Sequence, residues 1–370
     1  MVLGAALLKN RVEYTDKLLE VVYNCLMCGA CDISCKYAMD MEVLEPINEI
    51  RIKCVEEGHT NPALDKVIRI LRKQGTMILG AKAKRGEWAK GLNVKDITKE
   101  KANIIYHAGC RTCYDKDMWK VARATVNLLQ KAGIDICIGG ENESCCGGRA
   151  YQMGYKEDFL KQAKVNMELF QKVGAKTLVT GCADCYHAFK VLYDKIGMKG
   201  DLEVMHATEY LDRLIKEGKL RLAKEVSIKV TYHDPCHLGR LGEPYIHWEG
   251  KECLGYIRTF DPPKIYRRGT FGVYEPPRNI LNSIPGLKLV EMNRIKEYAW
   301  CCGGGGGVKE TNPEFAKWTA RERIEEAESS GAEVVVTACP GCEQIFNKAV
   351  KENGSRLKIY DIVEILEKAI

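Results

Sequence analysis

Two cysteine doublets, Cys145 and Cys146 in CCGGRAYQMG and Cys301 and Cys302 in CCGGGGGVKE, anchor a pattern that occurs twice in this chain. Ahead of each doublet a short apolar run ends in a cysteine, NIIYHAGC at Cys110 and KVTYHDPC at Cys236. Behind each, a β-branched run enters a CxxC turn: GAKTLVTGCADC carries Cys182 and Cys185, and GAEVVVTACPGC carries Cys339 and Cys342. Between doublet and CxxC both copies have helical periodicity, KEDFLKQAKVNMELFQKVG and NPEFAKWTARERIEEAESSG, with Asn312 and Pro313 as a helix start and the closing glycine as a stop. Further on, VMHATEYL aligns with IYDIVEIL and sets Glu209 opposite Glu364. A repeat of strand, cysteine turn and helix predicts an α/β fold of two homologous units, 101–225 and 226–370, packed face to face with their cysteines at strand ends. The second copy is longer, and its excess falls within 241–272, a Pro-, Gly- and aromatic-rich segment of the sort that covers a site or meets a partner.

The chain has 18 cysteines in 370 residues. No apolar stretch approaches the roughly 18 residues of a membrane span, and the amino-terminal MVLGAALLKNRVEYT is interrupted by charge too soon for a signal peptide. The expectation is a cytoplasmic protein with no direct membrane span, in which thiols at this density serve metal rather than disulfides and favour an anaerobic or strongly reducing habitat. The net charge of +6 comes from interspersed lysines and glutamates, so no nucleic-acid partner is inferred. Five thiols per unit exceed the four that a zinc ion takes. A doublet cannot easily aim both side chains at one small ion, whereas a polynuclear iron–sulfur cluster offers separate irons. Glycines beside it would let the backbone approach sulfur and aim N–H groups at negative charge. The five-glycine run lacks the GKS or GKT ending of a phosphate loop.

The amino-terminal CLMCGACDISCKYAMD places Cys25, Cys28, Cys31 and Cys35 in the C-x2-C-x2-C-x3-C spacing of a cubane four-iron cluster. Lys36 stands where that motif carries proline, and no second run follows, so the fourth ligand is either Cys35 or Cys54 in IRIKCVEEG. Residues 1–60 are read as a mainly helical, ferredoxin-like module and 61–100 as a helical linker. Within that linker the basic AKAKRGEWAKGLNVKD reads as a solvated face whose Trp88 packs on the amino-terminal module.

Cysteines outside the repeat, Cys113, Cys137 and Cys253, are read as small buried apolar residues. His107, His233 and His237 flank the first cysteine of a repeat and are expected to hydrogen-bond near a cluster rather than ligate it. His187 and His206 are read as surface or packing residues. Asp234 and Glu209 suit either proton delivery or capping.

The paired CX(n)CCGX(n)CxxC pattern over 101–370 resembles the duplicated cysteine-rich domain of the heterodisulfide reductase catalytic subunit. That family also takes in iron–sulfur subunits of glycolate and lactate oxidases and of class II benzoyl-CoA reductase complexes; the insertion and VYEPPRNIL are more similar to the last of these than to the methanogenic enzyme. The resemblance implies two noncubane four-iron four-sulfur clusters, one on Cys110, Cys145, Cys146, Cys182 and Cys185, the other on Cys236, Cys301, Cys302, Cys339 and Cys342. Clusters rather than side chains would then carry the chemistry. The expected function is an iron–sulfur electron-transfer subunit of an anaerobic oxidoreductase complex, with partner subunits that hold flavin or further iron–sulfur clusters. The alternatives are a heterodisulfide reductase-type enzyme that cleaves a disulfide between the two clusters, and a non-catalytic zinc or cluster scaffold. A reductase requires an open cavity between the clusters; a relay would bury it, under 241–272.

Overall fold

The computed structural model describes residues 2–39, 42–100, 103–255, 259–265 and 267–370. Its strands are β1 (Lys95–Asp96), β2 (Ile104–Tyr106), β3 (Cys137–Ile138), β4 (Thr177–Thr180), β5 (Glu203–His206), β6 (Lys229–His233), β7 (Lys251–Cys253), β8 (Thr259–Asp261), β9 (Lys288–Leu289), β10 (Val334–Thr337) and β11 (Lys358–Asp361). The fold is α/β and duplicated. One all-parallel sheet runs β1-β3-β2-β4-β5 and the other β9-β6-β10-β11, so the second repeats the first without β1. Even the register repeats: Tyr106 lies opposite Val179 and Tyr232 opposite Val336. Helices cross over between the parallel strands and cover them, which is why β10 is buried along its whole length and reads as an unbroken apolar run.

The helices Lys156–Val173 and Pro313–Ser329 stand where the periodicity predicts them. Asn312 caps the second, its Oδ1 accepting from Phe315 N at 3.2 Å, and Gly174 and Gly331 close the two at positive φ. The two units meet through reciprocal helix pairs: Trp119–Lys131 packs on Ile362–Lys368, and its counterpart Glu275–Ser283 packs on Ala207–Lys216. Such a contact, in which equivalent patches exchange places, is the mark of a pseudo-two-fold axis.

The amino-terminal part holds helices Val2–Leu8, Asp16–Tyr23, Ala30–Met39 and Leu44–Glu56. Residues 61–100 hold one further helix, Pro62–Gln74, then two short 3-10 turns and β1, which joins the edge of the first sheet. Trp88 is buried against Tyr106 of the first unit, ring centroids 5.8 Å apart, so its packing partner differs from the one expected. The insertion forms the antiparallel hairpin β7–β8 and is tied down by Glu243, whose carboxylate accepts from Gly269 N at 2.7 Å. Cys253 lies exposed on that hairpin, which corrects its reading as a buried residue. Among the described residues no helix is long and apolar enough to cross a membrane.

Candidate metal centres

Parallel strands deliver the cysteines. β2 and β6 run directly into the turns bearing Cys110 and Cys236, and β4 and β10 into those where Cys182 and Cys339 cap the next helix. The carboxyl ends of such strands are where open α/β sheets hold ligands. Within the first unit the thiols adjoin one another in the order Cys110, Cys145, Cys146, Cys185, Cys182. The second unit repeats that order as Cys236, Cys301, Cys302, Cys342, Cys339. The sets are joined to each other where Cys182 meets Cys339, two equivalent residues on the pseudo-two-fold axis. Cys301 also meets Cys28, which brings the amino-terminal loop against the second set.

Thiols this close cannot all ionise without cations between them. A hydrogen bond from Cys145 pushes the Cys146 thiol down to about 5, and one from Cys301 holds Cys302 well below the ordinary range. Each of these low thiols in turn drives its CxxC neighbour, Cys185 or Cys342, well up. Metal binding resolves the conflict by taking every sulfur as thiolate.

The surroundings fit an anionic iron–sulfur group. In each doublet the following glycine turns its N–H back onto the first sulfur, Gly147 to Cys145 and Gly303 to Cys301, both at 3.4 Å. That turn requires positive φ, +76° and +92°, and a Cβ on Gly303 would fall 2.4 Å from the Ala316 carbonyl oxygen. Further along the run, a Cβ on Gly305 or Gly306 would strike the carbonyls of Leu26 or Cys25 at 2.3 and 2.4 Å. The glycine run thus makes room for two things, a sulfur-directed turn and the backbone of the amino-terminal cysteine loop.

Buried arginines surround the thiols. Arg85 reaches Cys110 Sγ at 3.8 Å, and Arg240 lies beside Cys28, Cys236 and Cys301. Arg240 Nη2, Arg323 Nη2 and Arg149 Nε are buried donors without a nitrogen or oxygen partner among the described residues. A dry core tolerates such cations where anions face them. None of the four was singled out from the sequence, because an arginine in a basic or helical stretch reads as solvated; only the CxxC and CC patterns around them marked the region.

The histidines hydrogen-bond. Arg323 Nε donates to His233 Nδ1 at 3.2 Å, which leaves the buried Nε2 without a hydrogen-bond partner among the described residues, and a ring nitrogen lies with the sulfurs of Cys302 and Cys342, all within 4.8 Å of one another, close enough that the three could hold a metal ion. His107 Nε2 lies 3.1 Å from the Ser144 carbonyl. His237 crosses to the other unit and meets Asp184 at 2.6 Å. His187 and His206 are both buried, and His206 caps the helix Ala207–Lys216, with Glu209 completing the capping box as Glu364 does for Asp361. Asp234 forms a buried ion pair with Arg278 at 2.8 Å. Both carboxylates are therefore structural. Cys113 is buried beside Arg85 and Trp88, and Cys137 donates to the Ile104 carbonyl at 3.4 Å.

In the amino-terminal loop Cys25, Cys28 and Cys31 adjoin one another, with Met27 at φ +52° donating to Cys25 Sγ at 3.4 Å. Cys31 is exposed. Cys35 lies one turn further along the same helix, whereas Cys54 is fully buried beside Tyr14 and Tyr23.

One cavity, of about 80 Å³, is lined by nine of the ten repeat cysteines, all but Cys301, together with Arg111, Arg149, Asp184, His237 and Lys309. No described residue of 241–272 lines it.

The family described as "Cysteine-rich domain" matches residues 104–190 and 258–347. A dihydromethanophenazine:CoB–CoM heterodisulfide reductase subunit of Methanosarcina acetivorans is 32% identical over 360 residues, covering 96% of this chain and 79% of that one. The EtfAB:quinone oxidoreductase of Syntrophomonas wolfei is 30% identical over 372 residues, covering 95% and 47%. A crystal structure of a hypothetical protein from Helicobacter pylori shares the fold, with a TM-score of 0.54, 13% identity, and coverage of 90% of this chain and 59% of that one.

Proposed function

The chain belongs to the cysteine-rich-domain family that includes this heterodisulfide reductase subunit, and from that membership we propose that it is an iron–sulfur electron-transfer subunit of an anaerobic oxidoreductase complex. Each five-cysteine set would hold a noncubane four-iron cluster, and Cys25, Cys28, Cys31 and Cys35 a cubane. Cys35 is preferred to Cys54 because it lies one turn along the helix that carries Cys31, whereas Cys54 is packed among tyrosines. When bound, such clusters accept and release single electrons.

The observation that carries this reading is the unbroken succession of neighbouring thiols from Cys28 through Cys301 and the Cys339–Cys182 contact to Cys110. The chain's own residues prepare that path. Gly147 and Gly303 aim amides at sulfur, and Arg85 and Arg240 supply buried positive charge. Exposure of Cys31 supports a redox partner docking at the amino-terminal loop, which makes the chain one member of a complex. The insertion supports no sealing of the inter-unit cavity, so a second reading stands beside the first: reduction of a disulfide held between the two sets. Turnover of a mixed disulfide by the isolated, chemically reduced protein tests this; turnover favours the reductase, and its absence with any donor favours the relay.

A further inference from the structure

Trp300, Phe315 and Trp318 form an aromatic cluster at the surface of the second unit. Trp318 stacks on Phe315, ring centroids 5.9 Å apart, and meets Trp300 edge-on at 6.2 Å. Trp318 is 48% exposed, and Tyr298, two residues ahead of Trp300, is 58% exposed. The cluster is held in place: Trp300 Nε1 donates to the Thr319 carbonyl at 3.0 Å, and the Arg294 guanidinium lies over the Trp300 ring, 4.5 Å from its centroid.

Two ties set these rings beside the amino-terminal cysteine loop. Arg240 donates to the carbonyls of Cys28 at 2.6 Å, Glu297 at 2.8 Å and Ala299 at 2.7 Å, joining the segment ahead of Trp300 to the loop. Asn312 caps the helix that bears Phe315 and Trp318, and its Nδ2 donates to Asn24 Oδ1 at 3.1 Å, next to Cys25. The turn Lys296–Tyr298 packs on the helix Ala30–Met39, whose Cys31 is exposed.

The fold itself does not ask for aromatic side chains here. At the matching positions the first unit carries Asn142 and Ser144 ahead of its doublet and Asp158 and Lys161 on its helix, yet it forms the same helix and strand. The rings occur in the unit whose doublet meets Cys28. Contiguous exposed apolar surface marks interaction sites, and Trp and Tyr supply much of the contact energy where proteins meet. The charges that border the face pair with one another, Arg294 with Glu326 at 2.9 Å, Lys296 with Glu275 at 2.7 Å and Lys317 with Glu314 at 2.9 Å, and Glu297 adds one carboxylate. Such a border offers no block of one sign to steer a charged partner, so recognition here rests on apolar contact.

We propose that Tyr298, Trp300, Phe315 and Trp318 form the docking face for a protein redox partner, one that presents an apolar contact surface with a one-electron group beneath it. The occupant follows from what the face adjoins: Cys31 is the exposed thiol of the amino-terminal group, where an electron would enter or leave the chain. That the partner is redox-active rests on a cluster in the amino-terminal loop; the face itself does not.

The experiment is anaerobic affinity purification of the tagged full chain from cells of its source organism, as wild type, Trp318→Ser, Tyr298→Ser and, as a control at an exposed apolar residue of the first unit, Val165→Ser. Trp318 and Tyr298 are each about half exposed, so each single variant spares the core and is informative alone. A polypeptide with flavin, haem or iron–sulfur absorbance is expected to co-purify stoichiometrically with the wild type and Val165→Ser and to persist through a high-salt wash. In each aromatic variant it should fall about tenfold or more, the loss of one aromatic anchor. No retained polypeptide, equal retention in the aromatic variants, equal loss in Val165→Ser, release by salt, or retention only of a second copy of this chain or of a protein without a redox group would each overturn the proposal. Iron per chain on the same samples separates the two readings: iron missing from the amino-terminal loop of the wild type withdraws the cluster, whereas native iron with unchanged retention withdraws the docking face alone.

Discussion

Arg51 Nη1 donates to the carbonyl oxygen of Gly306 at 2.8 Å, joining the amino-terminal module to the glycine run of the second unit. The same fully buried guanidinium also donates to the carbonyls of Gln152 in the first unit at 2.8 Å and of Cys25 at 2.7 Å. One side chain thus ties together all three parts of the chain where Cys28 meets Cys301.

Replacing Arg51 by leucine would strand these carbonyls without a donor. At roughly 1–3 kcal/mol for each buried unsatisfied group, a loss of about 3 kcal/mol or more is expected. Lysine should not restore it, because a point charge cannot span partners that a planar fork reaches together. Urea denaturation measures both; a change below about 0.5 kcal/mol in Arg51→Leu, the range of an ordinary surface substitution, would be the contrary result.

Gly303→Ala places a Cβ 2.4 Å from a backbone oxygen at φ +92°. Backbone has no easy way to yield, so destabilisation of about 2 kcal/mol or more is expected. The amide aimed at Cys301 should shift with it, so the iron content of the purified variant should fall. An alanine variant with native iron and native thermal stability would show that the turn is not needed.

Much of the fold was legible because its evidence is local. Asn312 and Pro313 start a helix by their own chemistry, and the run from Val334 to Thr337 announces a strand buried on both faces. The twofold cysteine order was legible for the same reason. What the chain kept hidden lies in long-range contacts. No spacing rule brings Cys28 to Cys301 or Cys182 to Cys339. Arg85 was hidden by its company, since it sits in a lysine-rich segment yet is only 1% exposed. Cys253 departed in the opposite sense: a free cysteine reads as a small buried residue, but a two-stranded hairpin has no second layer to bury it.

Cys35→Ser is expected to lower iron by the equivalent of one four-iron cluster, and Cys54→Ser to leave it unchanged. The difference follows from Cys35 sharing the helix of Cys31, while Cys54 is enclosed by tyrosines. Iron analysis of both variants decides, and iron lost from Cys54→Ser alone would reverse the assignment.

Burial pushes His206 down to about 4 from its ordinary value of 6.5. The folded state therefore holds this ring neutral while the unfolded chain takes up a proton below 6.5. Its contribution is complete above that pH and is lost progressively as pH falls toward 4. Between pH 7 and pH 5 the loss should be about 2 kcal/mol. His206→Asn keeps a capping side chain, as Asp361 does in the second unit, and should flatten that part of the profile. Urea midpoints at the two pH values measure it; identical slopes for the two proteins would refute the role.

Iron and acid-labile sulfide per chain, on anaerobically purified protein, test most directly whether all three cysteine groups hold iron–sulfur clusters. About twelve of each is the expected result, four for the amino-terminal loop and four for each five-cysteine set. About four of each would contradict it, confining the clusters to the amino-terminal loop and leaving the duplicated cysteines without a part in electron transfer.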